Sequence, residues 1–199
     1  MWLFIDIESS DLLKPDLPLS DPSQPWAVSM AAELTDQAGN SREFFHVRIR
    51  SEGRQVRAGA QAVHGVSSRD AGRDGISETV ALGLLCGLAA QASVVVGHGV
   101  EFDRKVVEGL LLRRGKDTRL WVRPGLSFCD TMKAATPVCR IKHNPPSDSG
   151  QFKWPSLDEC CEAILHEQGR TGHHSAWDDL QRMKRLFFAL REMNALEAA

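Results

Sequence analysis

The stretch that decides the fold is WLFIDIE, residues 2–8 of the 199-residue chain. Apolar side chains run without a break up to Asp6, and the run ends in acid at Glu8. A short run of large apolar side chains predicts a buried β-strand. Because residues two apart on a strand share one face, the carboxylates of Asp6 and Glu8 are expected to project together from the end of this strand.

The segments that follow predict a mixed sheet. The turn DQAGN joins two runs at residues 26–35 and 42–50, which is the pattern of a β-hairpin. Two more strands are predicted over SVVVG, residues 93–97, and over residues 126–129. Because helical segments alternate with these later strands, the sequence predicts an α/β fold in a single domain.

Helices are predicted where apolar residues recur at helical spacing. The predicted helices are a short one near 58–63, one over 76–91, one from the end of SVVVG to about 114, one beginning at Ser156 and one over 176–194. The buried face of the helix over 76–91 is predicted from a row at steps of four, namely Ile76, Val80, Leu84 and Leu88. The proline-rich stretches 9–25 and 137–155 are predicted to be loops, and in the polar, glycine-rich stretch 51–75 the short helix near 58–63 is the one element predicted.

Composition excludes several classes of protein. The 24 basic and 26 acidic residues give a net charge of −2, which excludes a histone-like polycation but not a nucleic-acid enzyme with an acidic metal centre. No stretch reaches the ~18 apolar residues of a membrane span, and the first residues lack the basic region of a signal peptide, so no membrane partner is expected. Five cysteines without a CxxC spacing favour reduced thiols and a cytoplasmic location. Because the chain has no tyrosine, a catalytic tyrosine is excluded.

Two further motifs carry acids at the start of predicted helices. In VGHGVEFD the strand turns into a helix with Asp103 in its first turn, beside the buried face, although an acid there is ordinary because it suits the helix dipole. In HSAWDD the spacing of Ser175 and Asp178 predicts a capping box with Ser175 as N-cap. His174 then lies on the preceding loop, and Asp179 lies in the first helical turn.

Together the acids of the three motifs and His174 predict a mechanism for phosphoryl transfer. Four carboxylates in one pocket repel one another, by ~4 kcal/mol for a pair about 4 Å apart at an effective dielectric of about 20, so the cluster needs cations. Oxygen ligands favour Mg²⁺ or Mn²⁺ over Zn²⁺. Two such ions stabilise the attacking and leaving oxygens of a phosphoryl displacement, and a histidine can deprotonate the attacking water.

The motifs FIDIESS, VVGHGVEFD and HSAWDD, in this order, resemble those of the DEDDh 3′–5′ exonucleases, the group of the bacterial proofreading subunit and RNase T. The segment AVHGV, residues 62–66, resembles a recurrent segment of the same family, and the resemblance covers about residues 2–190. It implies an RNase H-like mixed β-sheet flanked by α-helices and a single exonuclease domain over residues 1–199. It also implies two Mg²⁺ (or Mn²⁺) and release of nucleoside 5′-monophosphates from a nucleic acid 3′ end, most simply single-stranded, with DNA slightly favoured over RNA. Whether the chain also binds a polymerase or a second copy of itself stays open.

The resemblance also implies roles for particular residues. It makes His174 the general base and four carboxylates the metal ligands, namely Asp6, Glu8, Asp103 and Asp179. The residues that it implies for substrate binding are Ser9, Ser10, Leu12, His64, His98 and Phe102, with Leu12 as a wedge against the terminal base. The chain departs from the family where Ser9-Ser10-Asp11 replaces the usual Thr-Thr-Gly and where Gly99 replaces the usual Asn.

Two other interpretations remain open at the level of sequence. The chain could be a catalytically silent nucleic-acid-binding module on the same fold, or an α/β adaptor in which the motifs are coincidental. By analogy with the family, Arg140, Lys142 and Lys153 are expected to approach phosphates. Trp154 beside them has two interpretations, a platform for a base or a core residue.

Overall fold

β1 is the central strand of a five-stranded sheet in the computed structural model, which describes residues 1–143, 152–169 and 172–196, apart from the side chain of Val122. The strands are Trp2–Ser9 (β1), Ala27–Thr35 (β2), Ser41–Arg48 (β3), Val94–Gly97 (β4) and Ser127–Asp130 (β5). Their order across the sheet is β3-β2-β1-β4-β5. β1 runs antiparallel to β2 and parallel to β4, so the sheet is mixed, as predicted.

Helices cover both faces of this sheet. Those in the described ranges are Ala58–His64 (α1), Ser68–Asp74 (α2), Glu78–Ala89 (α3), Val100–Arg113 (α4), Thr131–Cys139 (α5), Leu157–Leu165 (α6) and Ala176–Glu192 (α7), with a 3-10 turn at Arg119–Val122. None of the helices in these ranges has the length and apolar character needed to cross a membrane.

The two faces of β1 belong to different clusters of the core. Leu3 and Ile5 are fully buried in the cluster that includes apolar residues of α3 and α4. Phe4 is buried in a second cluster with Leu180 and Phe187 of α7. Because side chains alternate along a strand, Asp6 and Glu8 share the face of Phe4 and are directed to the α7 side of the sheet.

The predicted buried face of α3 is wrong. Val80 and Leu84 are exposed, and the helix buries Ala81, Leu85 and Ala89 instead. The buried residues also recur at steps of four, one position later in the chain than the predicted row. The predicted spacing is therefore right, and the predicted face is displaced by one residue, which is about 100° around an α-helix. Ile76, the first member of the row, precedes the helix and forms a β-bridge with Ile49.

Two helices lie where loops or no element were predicted. α2 occupies part of the polar stretch 51–75, where Ser67 and Asp70 form a reciprocal capping box. α5 includes Pro137, the first residue of the predicted loop over 137–155. A nine-residue helix capped firmly at its start accommodates a proline in its last turns, although proline normally disfavours a helix interior. Residues 144–151 of that loop lie outside the described residues.

Candidate active site

The acid pair of β1 lies next to β2 on the side of the sheet that α7 covers. Asp6 pairs with Ala31 and Glu8 pairs with Ser29 in the antiparallel ladder. Both acids are half-buried, so they stand at the boundary between the core and solvent. The register therefore directs the two carboxylates to the region where α7 begins.

The start of α7 supplies a histidine and an acid to the same region. Asp179 is buried, with 5% of its surface exposed, and its Oδ2 lies 3.1 Å from Nδ1 of His174. Ser175 is the N-cap, as predicted, and its carbonyl accepts a hydrogen bond from the Asp179 amide. The predicted capping box is wrong, because within the described part of the chain the Ser175 side chain makes no capping hydrogen bond. Asp178 is exposed instead, and its charge acts on His46 of β3.

The two elements bring three potential metal ligands together. One ligand atom each from Glu8, His174 and Asp179 lies within 4.8 Å of the others. Asp6 stands two residues before Glu8 on the same strand face. A compact group of carboxylate and imidazole atoms at the edge of the core is suited to binding a divalent cation.

Asp103 adds a buried carboxyl to this group. The side chain lies in the first turn of α4 with 6% of its surface exposed, in agreement with its predicted place beside the buried face. Burial raises the pKa of Asp103 well above its usual range, and the charges of Glu8 and Asp130 raise it further, while backbone hydrogen bonds at Asp103 and Ile7 lower it. The influence of Glu8 on Asp103 places the two carboxyls in one electrostatic environment.

Asp130 supports the site and was missed at the level of sequence. Its Oδ1 accepts hydrogen bonds from the amides of Gly99, at 2.9 Å, and Met132, at 3.0 Å. These bonds cap α5 and also hold the turn that leads into α4 and Asp103. An aspartate immediately before a helix is a typical N-cap. The sequence did not reveal Asp130 as one because the helix that it caps, α5, was not predicted.

His98 holds the same turn from another direction. Its Nδ1 lies 3.0 Å from Oγ1 of Thr131, and its Nε2 lies 3.0 Å from the carbonyl of Pro155. A carbonyl only accepts hydrogen bonds, so Nε2 carries a proton. Burial lowers the pKa of His98. Both ring nitrogens thus have protein partners, and a direct contact of His98 with substrate stays a prediction.

The end of β1 and the segment after it contain three of the residues that the resemblance assigns to substrate binding, namely Ser9, Ser10 and Leu12. Leu12 is 76% exposed, which leaves it accessible to a ligand. The Ser9 hydroxyl donates to the carbonyl of Asp11 at 2.7 Å, while Ser10 is buried and its hydroxyl accepts a hydrogen bond from the amide of Trp26 at 3.1 Å. Nε of Arg57 lies 3.2 Å from Oδ2 of Asp11, so a cation offsets the negative charge that replaces the family's usual glycine.

Two further candidates, His64 and Phe102, are partly or fully covered by protein. Phe102 is half-buried against the core. His64 is buried at the end of α1, where its Nδ1 accepts a hydrogen bond from the Val66 amide, and burial lowers its pKa. The residue before it, Val63, accepts a hydrogen bond from the amide of His174 at 2.9 Å. The segment AVHGV therefore contacts the loop that carries the candidate base.

Arg140, Lys142 and Lys153 form a basic rim beside Pro155, the partner of His98, because the amide of Lys153 donates a hydrogen bond to the carbonyl of Ile141 at 2.8 Å. Arg140 and Lys142 are exposed, and Nζ of Lys153 lies 2.5 Å from Oε1 of Glu159. Trp154 is 63% exposed, so it is not a core residue. An exposed tryptophan between a cation and the anchored Pro155 is available for contact with a ligand.

The mixed sheet, its order and the acids at the end of β1 define an α/β protein of the RNase H-like class. No protein-family model matches the chain, and no curated protein matches it. Among solved structures it is similar to E. coli exonuclease I in complex with a dT13 oligonucleotide, with a TM-score of 0.73, 20% sequence identity and coverage of 96% of this chain and 40% of that chain. A zinc-bound complex of the same enzyme with single-stranded DNA gives a TM-score of 0.72 at 20% identity, again over 96% of this chain and 40% of that one. The similarity confirms the predicted fold, and the chain spans about two fifths of the length of these enzymes.

Proposed function

We propose that this chain is a metal-dependent 3′–5′ exonuclease that releases nucleoside 5′-monophosphates from single-stranded nucleic acid, with DNA slightly favoured over RNA. The observation that carries the proposal is the cluster of Glu8, His174 and Asp179 within 4.8 Å, beside the buried Asp103. The cluster stands on a fold shared with exonuclease I, which has been crystallised with oligonucleotides of dT and dA. We further propose that residues 1–199 form one exonuclease domain.

The donor set fits divalent cations. Asp6, Glu8, Asp103 and Asp179 would hold two Mg²⁺ (or Mn²⁺) ions, because carboxylate oxygens are the ligands that these hard cations prefer. When bound, the ions would supply charge stabilisation to the attacking and leaving oxygens of the phosphodiester. A nearby cation also favours the ionised form of Asp103, whose pKa burial and neighbouring charges raise in the protein alone.

His174 is the proposed general base. An ionised carboxylate has no proton to donate, so ionised Asp179 accepts a hydrogen bond from Nδ1–H of His174, and the neutral ring then carries its free lone pair on Nε2. The ring takes a proton from water as the water oxygen bonds to phosphorus. The bond from phosphorus to the 3′ oxygen of the preceding nucleotide breaks, and that oxygen takes a proton from solvent and becomes the new 3′ hydroxyl. Ser9 and Ser10 are proposed to hold the terminal nucleotide, with Leu12 against its base. The other residues proposed for substrate binding are Phe102, His98 and His64.

Metal dependence is the direct test of the proposal. Single-stranded DNA, duplex DNA and RNA oligonucleotides, each labelled at the 3′ or the 5′ end, are incubated with Mg²⁺, Mn²⁺, Ca²⁺ or excess EDTA. We expect mononucleotide release from the 3′ label with Mg²⁺ and Mn²⁺, weak activity with Ca²⁺ and none in EDTA. Undiminished cleavage in EDTA would falsify the metal mechanism, and tight binding without cleavage in any metal would favour the silent binding module instead.

Trp154 is expected to contribute a stacking contact with a base of the bound strand. Because the side chain is 63% exposed beside the basic rim, Trp154→Ala should raise KM for an oligonucleotide with little change in kcat. Base stacking on an aromatic residue is worth ~1–3 kcal/mol, which corresponds to a rise of about 5- to 150-fold. Steady-state kinetics check this, with Trp154→Phe as the control that retains an aromatic face. If the alanine variant keeps the wild-type KM, Trp154 does not contact the strand.

A further inference from the structure

The end of α1 contacts the loop that carries the proposed base. Gly65 closes the helix in the left-handed conformation, with φ +74°, and its amide donates to the carbonyl of Gln61 at 2.7 Å. This turn leaves the carbonyl of Val63 directed to the loop, where it accepts the hydrogen bond from the His174 amide at 2.9 Å. A backbone contact between residues more than a hundred positions apart thus fixes the main chain of His174.

A second contact in the same place depends on Gly65 having no side chain. A Cβ atom built on Gly65 would lie 2.8 Å from Cγ and from Cδ2 of His173, and 3.2 Å from Cβ of His173. Rotation of the ring about the Cβ–Cγ bond leaves the overlap at Cγ, and a change of rotamer still leaves the new methyl group 3.2 Å from Cβ of His173, which is tighter than an ordinary contact. A methyl group here would displace the residue immediately before His174.

We propose that the turn at Gly65 positions the loop that carries His173 and His174. Gly65 is then a positioning residue, which acts through its contact with His173 on the place of His174. This inference rests on the proposed function for its kinetic consequence. The amide of His174 is held by the carbonyl of Val63, and its ring contacts the carboxylate of Asp179. Loss of the hydrogen bond to Val63 would leave the main chain of His174, and with it the geometry of proton transfer, less well defined.

The test compares two glycines of the same backbone class. Gly65→Ala introduces both the steric overlap and a left-handed alanine, whereas Gly115→Ala, at φ +61° and with no described atom within 4 Å of its Cβ, introduces only the left-handed alanine. Because a misplacement of about 1 Å can cost about 100-fold in rate, we expect Gly65→Ala to lower kcat by about that factor at an unchanged KM. The kcat of Gly115→Ala should stay within about twofold of the wild-type value, because local backbone strain that displaces no neighbouring atom leaves the geometry of the site unchanged.

The double variant Gly65→Ala/His173→Ala provides the rescue. Removal of the ring opens the space that the new methyl group needs, so kcat should recover by about tenfold or more over Gly65→Ala if displacement is the cause. Equal losses in the two glycine variants, or no recovery in the double variant, would overturn the proposal.

Hydrogen exchange at the His174 amide, followed by NMR, provides a readout that does not depend on nuclease activity. The exchange rate should rise in Gly65→Ala, stay at the wild-type value in Gly115→Ala and fall again in the double variant. An unchanged exchange rate in Gly65→Ala would show that the turn does not position the loop. If wild-type protein fails to cleave with Mg²⁺, the proposed function is wrong, and the exchange data still decide the role of Gly65.

Discussion

His174→Ala is expected to lower kcat by about 10²- to 10⁴-fold, the usual cost of removing a general base. The imidazole is 41% exposed, lies within the cluster of Glu8 and Asp179, and is oriented through its Nδ1. It can therefore reach a water molecule at the site while its geometry stays defined. Affinity for the oligonucleotide should change little, because the proposed contacts with the nucleotide come from other residues. Single-turnover cleavage with Mg²⁺ measures the rate, and fluorescence anisotropy in EDTA measures binding.

The neighbouring histidine provides the matched control for this variant. His173 is exposed and packs on Gly65, so His173→Ala should keep kcat within a few-fold of wild type. The assignment of the base would be contradicted by near-normal turnover in His174→Ala. A large loss in His173→Ala together with that result would transfer the role to His173.

The parts of the fold that sequence predicts well are those with a local cause. The run from Trp2 to Glu8 is a buried strand because its pattern of large apolar residues is compatible with little else. The turn DQAGN specifies the hairpin of β2 and β3. The apolar stripe of α7, which includes Leu180, Met183 and Phe187, is buried as its spacing predicts. In each case one segment contains the whole signal.

The parts that sequence does not predict are fixed by contacts between distant segments. The Asp130 carboxylate reaches the Gly99 amide, and the His98 ring reaches the Pro155 carbonyl, across 31 and 57 residues respectively. No local pattern indicates such pairs, so the support that Asp130 and His98 give to this turn was not predicted. α5 was missed for a related reason, since its stability comes from the cap at Asp130 and from packing that outweigh the local effect of Pro137.

The candidate site lies between these two cases. Asp6 and Glu8 share a strand face by simple alternation, and the burial of Asp103 follows from the stripe of α4. The approach of Asp179 to Glu8 is a contact between distant segments, and it was predicted from the combined chemistry of the three motifs and from the resemblance of their order to that of a known family. Of the predicted site residues, the structure brings Glu8, His174 and Asp179 within 4.8 Å of one another. It also adds supports that were not predicted, at Val63, Asp130 and His98.

Asp103→Asn is expected to abolish exonuclease activity and yet to raise the melting temperature of the metal-free protein at neutral pH. Burial raises the pKa of Asp103, and the charges of Glu8 and Asp130 add to the effect. In the unfolded chain an aspartate loses its proton near pH ~3.9, whereas in the folded protein Asp103 retains it to a higher pH. Unfolding then releases a proton, so stability falls as pH rises from about 4 through the raised pKa. Asparagine has a similar shape and does not titrate, so the variant escapes this loss.

Thermal melts in EDTA from pH 4 to pH 8 should therefore begin together and diverge, with the Asp103→Asn variant melting higher as pH increases. A difference of 1 kcal/mol corresponds to about 2–4 °C for a chain of this size. With Mn²⁺ at neutral pH the order should reverse, because wild type gains stability from an ion that binds only the folded state and the variant lacks a ligand for it. Asp16→Asn, in an exposed loop, is the control and should follow wild type in every condition. If Asp103→Asn instead melts lower than wild type in EDTA at neutral pH and both respond equally to Mn²⁺, Asp103 is an acid that stabilises α4 rather than a ligand of the metal centre.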